Sequence, residues 1–288
     1  VVLRGRFKIM TNTNRWISIL AAAGLTLAAV SAQAGVVGSK HDFTAGAGTA
    51  PGGGAQGTTS VTDEVCVFCH TPHGSATGAP VPLWNKVLST GSYTRYSSLN
   101  LPSFTSTEAA VGSVSLACLS CHDGTQAMDV VLNQPGSSGY NAGGAEIDAG
   151  AIDAMVGVPA GAPLPNLGTD LSNDHPISMQ YGGGGVTAAD ADGTFGGTLG
   201  DPDFVDPEKA TINGVPIWWV DSPVGTAGTR EKTDMLLYAR DDLTTVQPFV
   251  ECGSCHDPHN DATGGPSSVQ FLRIENTASQ ICTACHIK

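Results

Sequence analysis

The sequence predicts a chain that is mostly coil, with short helices and few strands, whose core is built on something other than large side chains. Three observations predict it. Aromatic residues make up only 6% of the 288 residues while glycine contributes 37, too little bulk to fill an ordinary interior. The Gly-, Ala- and Pro-rich stretches 44–57, 135–168 and 182–203 carry neither a helical nor a strand period. All eight cysteines fall in four copies of one five-residue pattern.

The start of the chain reads as a targeting segment. From Met10 it runs MTNTNRWISILAAAGLTLAAVSAQA: a positive Arg15, an apolar run from Ile17 to Val30, then the small-x-small triplet Ala32-Gln33-Ala34. The run is shorter than the ~20 residues that span a bilayer, so residues 1–34 are expected to be a cleaved signal peptide and the protein to have no membrane span. The segment holds Arg4, Arg6, Lys8 and Arg15 and no acid, leaving 9 of the 13 basic residues against all 26 acidic ones, a net charge of −17. Such a surface excludes nucleic acid and anionic membrane as partners and suits cations, basic proteins or mineral surfaces.

The four cysteine patterns are Cys66-x-x-Cys69-His70, Cys118-x-x-Cys121-His122, Cys252-x-x-Cys255-His256 and Cys282-x-x-Cys285-His286. In an oxidising compartment disulfides are the ordinary expectation, but this spacing is the attachment signature of c-type haem. Two thiols so placed add to the two vinyl groups of one haem, and the next residue carries its imidazole under the iron. Structural zinc needs no histidine after each pair. The sequence therefore predicts heme c, four per chain.

Eight histidines match the eight axial positions of four irons. His70, His122, His256 and His286 lie in the motifs; His41, His73, His175 and His259 remain. Two motifs are doublets, CVFCHTPH and CGSCHDPH, with a second histidine three residues on. Two imidazoles on opposite faces of one haem hold their backbones about 13 Å apart, from metal–nitrogen bonds of about 2 Å and side chains of about 4–5 Å each; three extended residues reach only about 11 Å. His73 and His259 must therefore serve neighbouring haems. Chain order assigns His73 to the haem of Cys118 and Cys121, and His259 to that of Cys282 and Cys285. His175 is then expected to fold back to the first haem, and His41, on an N-terminal arm, to reach the third haem of an adjacent copy.

The same order gives an internal duplication: a lone histidine, a doublet, a single motif, twice. Residues 35–165 form the first haem-pair module and 166–288 the second, in one continuous haem-packed domain. Short helices are expected at 107–122 and 276–286, capped by Thr and Ser, with a helix at 231–240, a strand near 267–274 and coil elsewhere. Asp190-x-Asp192-Gly193 reads as an acidic turn rather than a calcium loop, and Trp218 and Trp219 as cover for a haem or an interface.

CVFCHTPHG, LGTDLSNDHPIS (167–178), VECGSCHDPHN and ICTACHIK resemble the extracellular multihaem cytochrome filaments of metal-reducing bacteria, and their tetrahaem members in particular. The resemblance implies bis-histidine haems stacked as the core of a coil-rich multihaem cytochrome c. It implies protomers joined head to tail with copies of themselves, fed by periplasmic or outer-membrane cytochromes and discharging to extracellular metal oxides or other acceptors. Electron transfer without catalysis is the function expected, secreted and at the cell surface. A monomeric periplasmic shuttle is the alternative; a multihaem reductase is a third, and it needs an iron with an open position, which eight histidines leave no room for.

Overall fold

The computed structural model describes residues 35–44, 58–78, 80–102, 105–155, 166–260 and 271–287. The expected signal-peptide segment, most of the glycine-rich run 44–57 and the first half of the expected strand near 267–274 lie outside them; residues 271–274 form a turn with one isolated bridge rather than a strand. Coil and turns dominate, as the composition predicts, and helices are few. Helix α1 spans Ser113–His122, α2 Cys252–Cys255 and α3 Gln280–Thr283. The helices expected at 107–122 and 276–286 are thus real but shorter. Neither is capped by Thr or Ser: Gly112 precedes α1, and Ser279 stands before α3 in a left-handed turn without using its hydroxyl as a cap.

In the first half, β1 (Val130–Asn133) pairs antiparallel with β2 (Tyr140–Glu146). Buried Asn85 ties this ribbon to the first cysteine motif. Its Nδ2 donates to the carbonyls of Val67 (2.7 Å) and Asn133 (2.9 Å), and its Oδ1 accepts from Asn133 N (2.8 Å). Next to it Lys86, fully buried, donates from Nζ to the carbonyls of Met128 and Val130, each at 2.8 Å.

The second half holds a six-stranded antiparallel sheet that the composition did not announce. Its strands are β3 (Met179–Gln180), β4 (Gly193–Thr194), β5 (Glu208–Ile212), β6 (Val215–Val220), β7 (Met235–Arg240) and β8 (Gln247–Val250), in the spatial order β3-β8-β7-β6-β5-β4. β5 and β6 join through Asn213-Gly214, both at positive φ (51° and 79°), the pair that a tight right-twisted hairpin requires. β7 replaces the helix expected at 231–240. Met235 and Leu237 alternate inward, with Met235–Leu237 paired to β6 and Tyr238–Arg240 to β8.

The interior also departs from expectation. Tyr181, Phe195, Leu199, Trp218, Met235 and Leu237 lead one apolar cluster against the sheet, so Trp218 is a core residue rather than a cover. Phe43, Phe68, Met128, Ile152 and Met155 form a second, in the first half. Side chains do make cores here, and cysteines sit on their margins: Cys255 and Cys285 against the first, Cys69 and Cys121 against the second. The 190–193 stretch is an acidic turn, with Asp190 Oδ2 accepting from Thr187 N at 2.6 Å and Asp192 Oδ1 from Lys209 Nζ at 2.8 Å.

Candidate haem-binding site

The four motifs fold alike. In each a single helical turn brings the histidine N–H back onto the first cysteine: His70 N donates to Cys66 O at 2.8 Å, His256 N to Cys252 O at 3.1 Å, and His286 N to Cys282 O at 2.9 Å. Cys118, Cys121 and His122 close the last turn of α1. One local geometry thus presents two thiols and an imidazole four times. None of the eight cysteines is in a disulfide. Burial pushes the thiols of Cys69 and Cys285 up to about 12 and that of Cys255 to about 11. Cys252 is the exception, lowered by its contact with Cys118.

The two halves meet at α1 and α2. Ser115 Oγ donates to Glu251 Oε2 (2.5 Å) and accepts from Cys252 N (3.0 Å), and the thiols of Cys118 and Cys252 touch, which raises that of Cys118. Glu251 is buried. It caps α2, with Ser254 Oγ accepting from its N–H at 3.0 Å, and pairs with Arg240 Nη1 at 2.9 Å. Burial still holds its carboxyl above the usual range. Gly253 is required between the cysteines, because a Cβ there would run into the Tyr238 hydroxyl.

The histidines form two couples, one of them across the halves. The rings of His70 and His259 stand 6.1 Å apart between centroids, and those of His41 and His122 6.2 Å. A ring nitrogen lies about 1.1 Å from its centroid and a metal–imidazole bond is about 2.0 Å, so two axial imidazoles on one metal stand about 6.2 Å apart. Both pairs have that spacing. Their outer nitrogens are engaged elsewhere. His70 Nδ1 donates to Pro82 O (2.8 Å), and His259 Nδ1 lies 3.3 Å from Asp257 Oδ1, so each ring keeps Nε2 for the other side.

His41 is held three ways. Gly35 N donates to His259 O at 3.1 Å, the Pro258 carbonyl accepts from the His41 ring, and Phe271 stacks on it at 4.1 Å. Desolvation lowers its pKa to about 4, with the nearby His122 adding to the effect, so the imidazole is neutral at pH 7, the form that binds metal. Trp84 lies beside His70, ring to ring at 6.0 Å, with a buried Nε1–H that has no acceptor among the described residues. A cofactor bearing carboxylates supplies the acceptor type it lacks.

The ring neighbours in the chain differ from the haem assignments expected from chain order: His259 lies beside His70, and His41 beside His122. The N-terminal segment is tied to the 256–259 turn, with Gly35 N donating to His259 O. His73 and His175 are exposed, with Thr71 Oγ1 donating to His73 O at 2.9 Å and the Pro176 carbonyl accepting from His175 Nδ1 at 3.1 Å. His286 packs on Phe204 at 4.4 Å, and His256 bridges to Leu272. Sequence reasoning missed Asp257, Trp84, Lys86 and Phe271. Only Asp257 carried a signal, as the charged residue inside the second doublet where the first has Thr71. No protein-family model matches the chain, and no curated protein is significantly similar to it. Among the described residues no helix is long and apolar enough to cross a membrane.

Proposed function

We propose that the protein transfers electrons through four covalently bound c-type haems. The observation that carries this reading is the pair of histidine couples, 70/259 and 41/122, each at the spacing of two imidazoles on one metal and each with one member in a Cys-x-x-Cys-His turn. Cys66, Cys69, Cys118, Cys121, Cys252, Cys255, Cys282 and Cys285 hold the groups. His70, His122, His256 and His286 are the motif ligands, and His41, His73, His175 and His259 the others. When bound, the haem iron supplies one-electron exchange, and two nitrogen ligands leave it no vacant position for a substrate. The chain's own part is to fix the rings, keep that of His41 neutral, and carry Cys69, Cys121, Cys255 and Cys285 on apolar clusters.

The contact of Cys118 with Cys252 brings the second and third motifs together, which supports one continuous path through both halves. The resemblance in the doublets extends the proposal to a secreted protein that polymerises with its own copies and discharges to extracellular acceptors. The exposed rings of His73 and His175 are two ligand-type side chains open to a neighbouring copy. Mass spectrometry of the secreted chain is expected to show four haem additions and loss of residues 1–34. Electron microscopy of the same material separates filament from monomeric shuttle. Stoichiometric carbon monoxide binding to a reduced iron would replace this reading with the reductase.

A further inference from the structure

His70 and His259 look symmetric as a pair, but what stands behind them is not. Behind His70 is a peptide carbonyl, that of Pro82, at 2.8 Å from Nδ1. Behind His259 is a carboxylate, Asp257 Oδ1, at 3.3 Å from Nδ1 and 2.9 Å from the His259 backbone N–H. His41, the corresponding member of the other couple, again has a carbonyl, from Pro258.

We propose, resting on the haem reading above, that Asp257 is a positioning residue that holds His259 in one tautomer and lowers the reduction potential of the iron between His70 and His259. A carboxylate on the outer nitrogen of a ligand imidazole fixes which nitrogen is free and makes it a more basic donor. Its negative charge also favours the oxidised, more positive iron. An aspartate carboxyl is ionised at physiological pH without any special environment. Two cations compete for the carboxylate. Arg273 is buried, but its guanidinium is also held by the carbonyls of Gly253 and Lys232. Lys232 Nζ lies 3.9 Å from Oδ2 on a side chain that is 62% exposed against 14% for Asp257, so water screens it more than the carboxylate. The residue belongs to the second module, while the iron it acts on is bound to the first.

The test is a redox titration of the haem-loaded chain followed by optical and electron paramagnetic resonance spectra. In Asp257→Asn all four haems stay attached and low-spin, and at a fixed potential the reduced-to-oxidised ratio of one iron rises about tenfold. Asp257→Thr, which copies the first doublet, does the same. The iron that shifts must be the one that turns high-spin in His259→Ala. Four ratios within twofold of wild type, a shift at a different iron, or a high-spin iron in Asp257→Asn would overturn the role of Asp257. A wild-type chain without four haem additions would instead defeat the cofactor reading itself.

Discussion

The two doublets are near-identical in sequence and unlike in what surrounds them. Both closing histidines are exposed, but in the first doublet, His70-Thr71-Pro72-His73, the residue before the helical turn, Glu64, makes no side-chain cap. In the second, His256-Asp257-Pro258-His259, the closing histidine faces His70, the Pro258 carbonyl holds His41, and Glu251 is a buried cap bound to Ser115, Ser178 and Arg240. One turn of chain organises both histidine couples while its counterpart only presents its own motif. A repeated motif therefore marks repeated chemistry, but it does not mark a repeated environment.

The largest expected difference lies in the residues before the motifs. Glu251→Ala strips a buried carboxylate from three partners and leaves Arg240, 7% exposed in its side chain, paired only with Asp242; thermal unfolding should show a loss of about 3–5 kcal/mol. Glu64→Ala, at an exposed site, should cost no more than about 0.5 kcal/mol. Equal losses would erase the contrast.

The closing histidines come next. His259→Ala should leave four haems attached and turn one iron high-spin, that of the Cys66–Cys69 motif, whereas His73→Ala should leave the irons of both His70 and His122 low-spin. Electron paramagnetic resonance distinguishes them; a high-spin iron at either of those two motifs in His73→Ala would restore the order-based pairing.

A smaller effect is expected inside the second motif. Gly253→Ala forces a methyl group against the Tyr238 hydroxyl and should cost about 1–3 kcal/mol in denaturant unfolding. Tyr238→Phe in the same background should recover part of it.

The smallest is a pH effect carried by one doublet only. The Asp257 carboxyl is lowered from 3.8 to about 2, chiefly by contact with His259, with burial opposing. A lowered acid stabilises the fold above its unfolded pKa and loses that contribution as pH falls through the folded one. Its share, about 1 kcal/mol after allowing for solvent screening, is complete above pH 4 and disappears towards pH 2. Asp257→Thr should flatten that part of the stability–pH curve, and an unchanged curve would show that the contact with His259 contributes nothing to stability.

Much of the candidate site was legible because thiol spacing and imidazole count are chemical constraints written locally. Coil content was legible from glycine and the scarcity of aromatics. The sheet was not, since its strands are two to six residues long and are separated by the stretches that look structureless. Asn213-Gly214 between Ile212 and Val215 was the one local signal for it. The apolar run in MLLYAR fits both a helical face and an alternating strand, and tertiary pairing decided. The partner of each histidine was least legible. Three-residue reach is a local argument, whereas His70 and His259 are brought together by the ties of Gly35 to His259, Asn85 to Asn133 and Ser115 to Glu251, none of which any spacing announces.

The pairing of His70 with His259 also has a consequence for biosynthesis. The two residues are 189 positions apart, so the first motif to emerge during synthesis waits for nearly the whole chain before its partner exists. His122 is different, since His41 precedes it, but the Pro258 carbonyl and Phe271 that hold His41 arrive late as well. On the proposed haem reading, attachment to the cysteines of the N-terminal half precedes completion of its ligand set. Assembly of the histidine couples waits for the last third of the chain, and a chain cut short before Asp257 would expose half-built couples rather than a smaller working protein.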